Sequence, residues 1–122
     1  MLCVLRIAGD DLDIDAMLPN AKLSPFRIDR KGEGKARTNA LNYDVAADTE
    51  SADKLFSDIR AFLLANRQEI AALGRRPGVQ HFILDIAVSV AEEMASRSLV
   101  LSKDMMSAAV ELGLSFEISI YR

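Results

Sequence analysis

The chain has 122 residues and a mass of 13.4 kDa, about one domain's worth of polymer and too little for two separate cores. At 50% hydrophobic and 27% charged, with 6 Gly and 3 Pro, it has the apolar content of a globular protein and none of the bias of a disordered or collagenous one. Its 15 basic and 18 acidic side chains leave a formal charge of -3, which argues against a polyanion binder.

Residues 2–8, Leu-Cys-Val-Leu-Arg-Ile-Ala, are strand formers that stop at Gly9-Asp10-Asp11, a turn signal. Asp13 stands where a carboxylate caps a helix start, and Pro19-Asn20 ends the helix that follows within one or two turns. Residues 26–30 alternate apolar and polar, the period of a half-buried strand, and the glycine-containing stretch 31–39 reads as a flexible loop. Residues 41–45 alternate again.

Leu55, Ile59, Phe62, Leu63, Ile70 and Leu73 then form one apolar stripe, opposite Lys54, Asp58, Arg60, Arg67, Gln68 and Glu69. This predicts one long helix, capped by Ser51 or Thr49 and ended by a left-handed Gly74. Pro77-Gly78 turns the chain into a long central strand on which Phe82, Leu84, Ile86, Val88 and Val90 share a face. Residues 98–101 read as a short strand. Ser102 is placed to cap a helix that runs through Leu112, turns Met105, Met106, Ala109 and Leu112 inward, and ends at Gly113. Last, Leu114, Phe116, Ile118 and Ile120 alternate with Ser115, Glu117, Ser119 and Tyr121, a strand with one apolar and one polar face.

This order predicts a single α+β domain over residues 1–122, a mostly antiparallel sheet with helices packed on one face in a two-layer sandwich. The uncovered face is partly polar. Arg6, Tyr43, Asp85, Ser89, Glu117, Ser119 and Tyr121 are assigned to it by alternation.

Several chemistries are poorly served by these residues. Cys3, the only cysteine, cannot form an internal disulfide and sits among Leu2, Val4 and Leu5 as a small hydrophobe, which fits a reducing cytoplasmic setting. The first residues carry no basic group ahead of the apolar stretch and two aspartates after it, so a signal peptide is not expected. No apolar stretch approaches the roughly 20 residues of a membrane span. Asp11, Asp13 and Asp15 alternate as calcium ligands do, but Ala16 and Lys22 occupy the positions that need glycine and glutamate. Around Gly34-Lys35, Asp29 and Ala36 replace the first glycine and the hydroxyl of a phosphate loop.

His81 is the only histidine and has no metal-ligand spacing to other residues, so no metal or cofactor is expected, and no nucleophile motif surrounds it or Cys3. Glu92 and Glu93 read as a solvated turn. Residues 27–37 hold five basic side chains, Arg27, Arg30, Lys31, Lys35 and Arg37, against Asp29 and Glu33. Without interleaved aromatics this favours solubility or an acidic protein partner over nucleic acid.

The segments Leu5-Arg6-Ile7-Ala8-Gly9-Asp10-Asp11-Leu12-Asp13, Ser24-Pro25, Arg30-Lys31-Gly32-Glu33 and Leu112-Gly113-Leu114-Ser115-Phe116-Glu117-Ile118-Ser119-Ile120-Tyr121 resemble a widespread bacterial family, domain of unknown function 4279. The resemblance covers nearly the whole chain. Where that family has a Trp in the middle strand, this chain has Asn42-Tyr43-Asp44 and no Trp at all. Family membership implies a small cytoplasmic binding or immunity-like protein rather than an enzyme.

The first expectation is therefore a noncatalytic module that binds a protein partner, or a second copy of itself as a homodimer, through the polar sheet face or the 31–39 loop. Arg6, Tyr43 and Tyr121 are its expected anchors, with Asp85 and Glu117 beside them. The alternative is a small enzyme or metabolite-binding protein with a pocket at the Gly9-to-Asp13 turn, where Asp10, Asp11 and Arg30 do the polar work.

Overall fold

Alternation along β1 (Leu2–Gly9) sorts the two faces of the domain: Cys3, Leu5 and Ile7 are buried, whereas Val4 and Arg6 between them stay partly open. The structure, a computed structural model of the chain, describes residues 1–19 and 21–122; Asn20, expected to help end the first helix, lies outside the described residues. After β1, Asp13 caps the single-turn α1 (Ile14–Met17) by accepting the Ala16 N–H at 3.1 Å. There follow β2 (Arg27–Asp29), β3 (Asn39–Ala46), α2 (Ala52–Ala65), α3 (Arg67–Gly74), β4 (His81–Ser89), α4 (Lys103–Glu111) and β5 (Ser115–Tyr121).

The five strands form one sheet in the order β2-β3-β1-β4-β5, with the helices against one face, so the two-layer α+β architecture is as the sequence predicts. Every pairing is antiparallel except β4 with β5, which run parallel because α4 returns the chain to the starting end of the sheet. Leu5 and Ile7 of β1, Leu41 of β3 and Leu84 and Ile86 of β4 meet Leu55, Ile59 and Leu63 of α2, Ile70 of α3 and Met105 of α4 in a single apolar cluster. Each of these side chains is removed from water, which contributes about 1.5–3 kcal/mol apiece before conformational entropy is counted. No helix among the described residues is long and apolar enough to cross a membrane.

Three expectations are corrected. The long helix is two helices: Asn66 (φ −118°, ψ 23°) leaves the helical region and its side chain donates to the Phe62 carbonyl at 2.9 Å, ending α2 before α3 begins. Asn66 interrupts the apolar stripe, so no buried contact opposes the break. Gly74 is not left-handed but the last residue of α3, with Arg75 as its right-handed cap. A glycine fits there because a Cβ would lie 2.7 Å from the Phe82 ring. Finally, 98–101 is no strand. Leu99 and Leu101 pack against the core and Val100 points to solvent, so the alternation belongs to an extended crossover, while both ladder positions beside β4 are taken by β1 and β5.

Candidate functional site

The face of the sheet away from the helices carries alternate residues of all five strands. Its floor is built from small side chains, Val4, Ala8, Ala40 and Ala87, and longer polar groups rise around them. Arg6 rises among them from β1, the central strand. Two clefts result, one of ≈ 290 Å³ and one of ≈ 200 Å³, and Arg6 lines both.

Arg6 reaches over β4 and donates to Glu117 Oε2 on β5 at 2.9 Å, forming the ridge between the clefts. Ser119 donates to Asp85 Oδ1 at 2.8 Å on the same side. In the larger cleft, Arg37, Thr38 and His81 stand with Asp29 and Glu117, and the buried Thr38 Oγ1 has no hydrogen-bond partner among the described residues. Phe26 and Arg27 rim the smaller cleft on one side and Tyr121 on the other.

Asn42 is buried and holds the β2 rim, its Nδ2 donating to Asp29 Oδ2 at 3.2 Å and to the Arg27 carbonyl at 3.4 Å. The 31–39 loop, expected to be flexible, is an ordered double turn in which Glu33 N–H donates to the Arg30 carbonyl and Ala36 N–H to that of Glu33. Asn39 anchors the loop: its Oδ1 accepts the Lys31 N–H at 2.8 Å and its Nδ2 donates to the Leu12 carbonyl at 3.1 Å.

Arg6, Asp85, Glu117, Ser119 and Tyr121 thus lie on one open face, as alternation predicts. Ser89 is exposed at the end of β4 on that face. Tyr43 does not. It pairs with Leu5 and turns inward with Leu41 and Val45, because the ring is worth more to the core than its single hydroxyl costs. The Tyr43 hydroxyl is buried without a partner among the described residues, and burial pushes its pKa up. Replacing Tyr43 by Phe is therefore expected to raise unfolding stability by about 1 kcal/mol, since the desolvated hydroxyl is removed and the ring kept. Urea denaturation tests this; a loss of similar size would show that the hydroxyl is satisfied.

The residues of the expected turn pocket are not brought together. Asp10 and Asp11 stand in solvent, Asp10 3.9 Å from Lys31, while Arg30 turns away to bind Asp15 at 2.9 Å. Five clefts among the described residues have linings without Asp10, Asp11 or Arg30; one of them, ≈ 260 Å³, lies between α1 and α3 against Met17, Leu23 and Leu73. No three His, Cys, Asp or Glu side chains among the described residues gather as metal ligands. Cys3 and His81 occupy opposite faces, so they form no nucleophile and base pair.

Sequence reasoning missed Asn42, Thr38, Phe26 and the placement of Arg37 and His81 on this face. For Asn42 the signal was present, since it alternates with Leu41 and Tyr43. For the others it was not, because their meeting depends on strand order. Comparison of the chain with family models, curated proteins and solved structures finds no match, so the family resemblance rests on its short motifs alone.

Proposed function

We propose that the domain is a noncatalytic protein-binding module whose partner docks on the open sheet face. One observation supports this above the rest: a full face of a five-stranded sheet is left without helices, and two clefts flank the arginine at its centre. Arginine and tyrosine are the side chains on which protein interfaces most often depend, and Arg6 and Tyr121 stand on this surface at its centre and margin. Glu117 holds Arg6 in a defined position before binding, which lowers the ordering cost of the complex.

The partner presents an acidic patch to the rim. Arg27 and Arg37 are both exposed there, and the segment 27–37 has a net excess of cations that accelerates encounter with an acidic protein. In the form that the family resemblance suggests, that partner is a toxin and this domain its immunity protein. Affinity capture of the partner with tagged protein provides the assay. Arg6→Ala and Tyr121→Ala are each expected to weaken the complex by about 10-fold or more while leaving the melting temperature nearly unchanged. Retained affinity in both stable variants removes the sheet face as the binding surface.

A further inference from the structure

The two edges of the sheet are treated differently. β2 is only 3 residues long, follows Pro25, and carries Arg27 and Asp29, the features that discourage strand addition. β5 has 7 residues, no Pro and no Lys, and a neighbour on one side only. Its apolar side is also unfinished: Ile118 is 47% and Ile120 68% exposed, although both sit on the face that the helices cover elsewhere.

Backbone direction adds to this. The Tyr121 carbonyl accepts the Val90 N–H at 2.8 Å, so the polar groups of Tyr121 point toward β4. Successive residues of a strand point their N–H and C=O to opposite sides, so those of Phe116, Ile118 and Ile120 point outward, unpaired. We infer that β5 is a dimerisation edge, on which a second copy of the chain pairs its own β5 antiparallel about a two-fold axis through Ile118.

The register follows from symmetry and charge. With Ile118 opposite its own copy, Phe116 faces Ile120 of the other chain, and the outward groups of all three residues form about six main-chain bonds. On the apolar side this closes Phe116, Ile118 and Ile120 against their counterparts. On the polar side Glu117, already neutralised by Arg6, meets Ser119, so no like charges oppose each other. Moving the axis one residue earlier places Glu117 against Glu117. Moving it one later sets Phe116 against Arg122. This self-complementary register points to a second copy as the occupant. The interface lies along the outer edge of β5, whereas Arg6 stands on β1, two strands away.

Sedimentation of the full chain across a concentration series tests the proposal, with amide exchange read at both extremes. A reversible dimer is expected, with the amides of residues 116, 118 and 120 protected only where it forms. Ile118→Lys, a half-exposed position, is expected to weaken the dimer by about 30-fold or more, the scale of a central hot-spot residue. Ile120→Lys gives the same reading if the first variant folds poorly, and Val100→Lys, in the exposed crossover, leaves the dimer intact. A monomer at every concentration, or a dimer unchanged in a folded β5 variant, overturns the proposal. Failure of the sheet-face reading shows instead as partner binding that is retained in Arg6→Ala and Tyr121→Ala, a readout separate from sedimentation of this dimer.

Discussion

Gly9→Ala is expected to destabilise the domain by about 3 kcal/mol or more and to lower its melting temperature by roughly 10 °C. A Cβ on Gly9 would stand 1.8 Å from the Gly78 carbonyl oxygen, and the obstacle is backbone, which cannot rotate aside. Gly78 is itself confined, with φ at 88° and its own Cβ position 2.8 Å from the Asp11 carbonyl oxygen. Around this contact the Gln80 N–H donates to the Ala8 carbonyl at 2.8 Å and the Asp10 N–H to Gln80 Oε1 at 2.8 Å. The end of β1 and the turn into β4 are therefore one interlocked unit, and separating them to admit a methyl group breaks these bonds as well.

Gly32→Ala supplies the control. At φ 86° Gly32 is also in the left-handed region, but a Cβ there meets nothing within 4 Å, so only backbone strain of about 1 kcal/mol is expected. Thermal or urea unfolding of the two variants separates contact from strain. Equal losses would show that the close approach at Gly9 relaxes freely. The Gly-Asp-Asp motif on which part of the family resemblance rests is, on this account, a device for joining two turns.

What was legible in the sequence was local chemistry. Asp13, Ser51 and Ser102 each place an acceptor three residues ahead of a free helix N–H, and each makes that bond. Gly113 ends α4 at a φ of 77° for the same kind of reason. Alternation placed Arg6, Asp85, Glu117 and Tyr121 on the open face, because a strand has only two faces and the apolar residues take one. Tyr43 shows the limit of that argument: a residue with a large ring and one hydroxyl is apolar or polar according to what lies beneath it, and the neighbouring Leu41 and Val45 decide for the core.

Less was legible where the outcome depends on elements far apart in the chain. Arg6 and Glu117 are 111 positions apart, and their bond exists only because β1 and β5 flank β4. The parallel β4 and β5 pair follows from the path of α4, not from any feature of either strand. Residues 98–101 have the period of a strand, but both ladder positions beside β4 are taken by β1 and β5, and the same pattern yields an extended crossover. The floor of the open face is likewise a property of the assembled sheet, since Ala8, Ala40 and Ala87 come together only once three strands lie side by side.

Stability is expected to fall steeply as the pH rises above about 9, and Cys3 is the main cause. Burial, helped by the Asp85 carboxylate, pushes the Cys3 thiol from an ordinary 9.0 to about 12. Between these values the unfolded chain releases the thiol proton and the native protein keeps it, so the unfolded state binds fewer protons and the native state loses ground as pH increases. The contribution is complete below pH 9 and declines by about 1.4 kcal/mol per pH unit through the window, on the order of 4 kcal/mol by its upper end. Tyr43, also raised by burial, adds to the loss with the same sign above its ordinary value of 10.0. The test is a difference in which every other group cancels: urea unfolding of the native protein and of Cys3→Ala at pH 8, 9, 10 and 11. The variant is less stable at pH 8 because a buried sulfur is lost, and that gap is expected to close by about 1.4 kcal/mol per unit as the pH rises above 9. Parallel curves would mean that water or hydroxide reaches the thiol in the folded state. The same burial disfavours a thiolate at Cys3 in the native domain, which leaves it a packing residue.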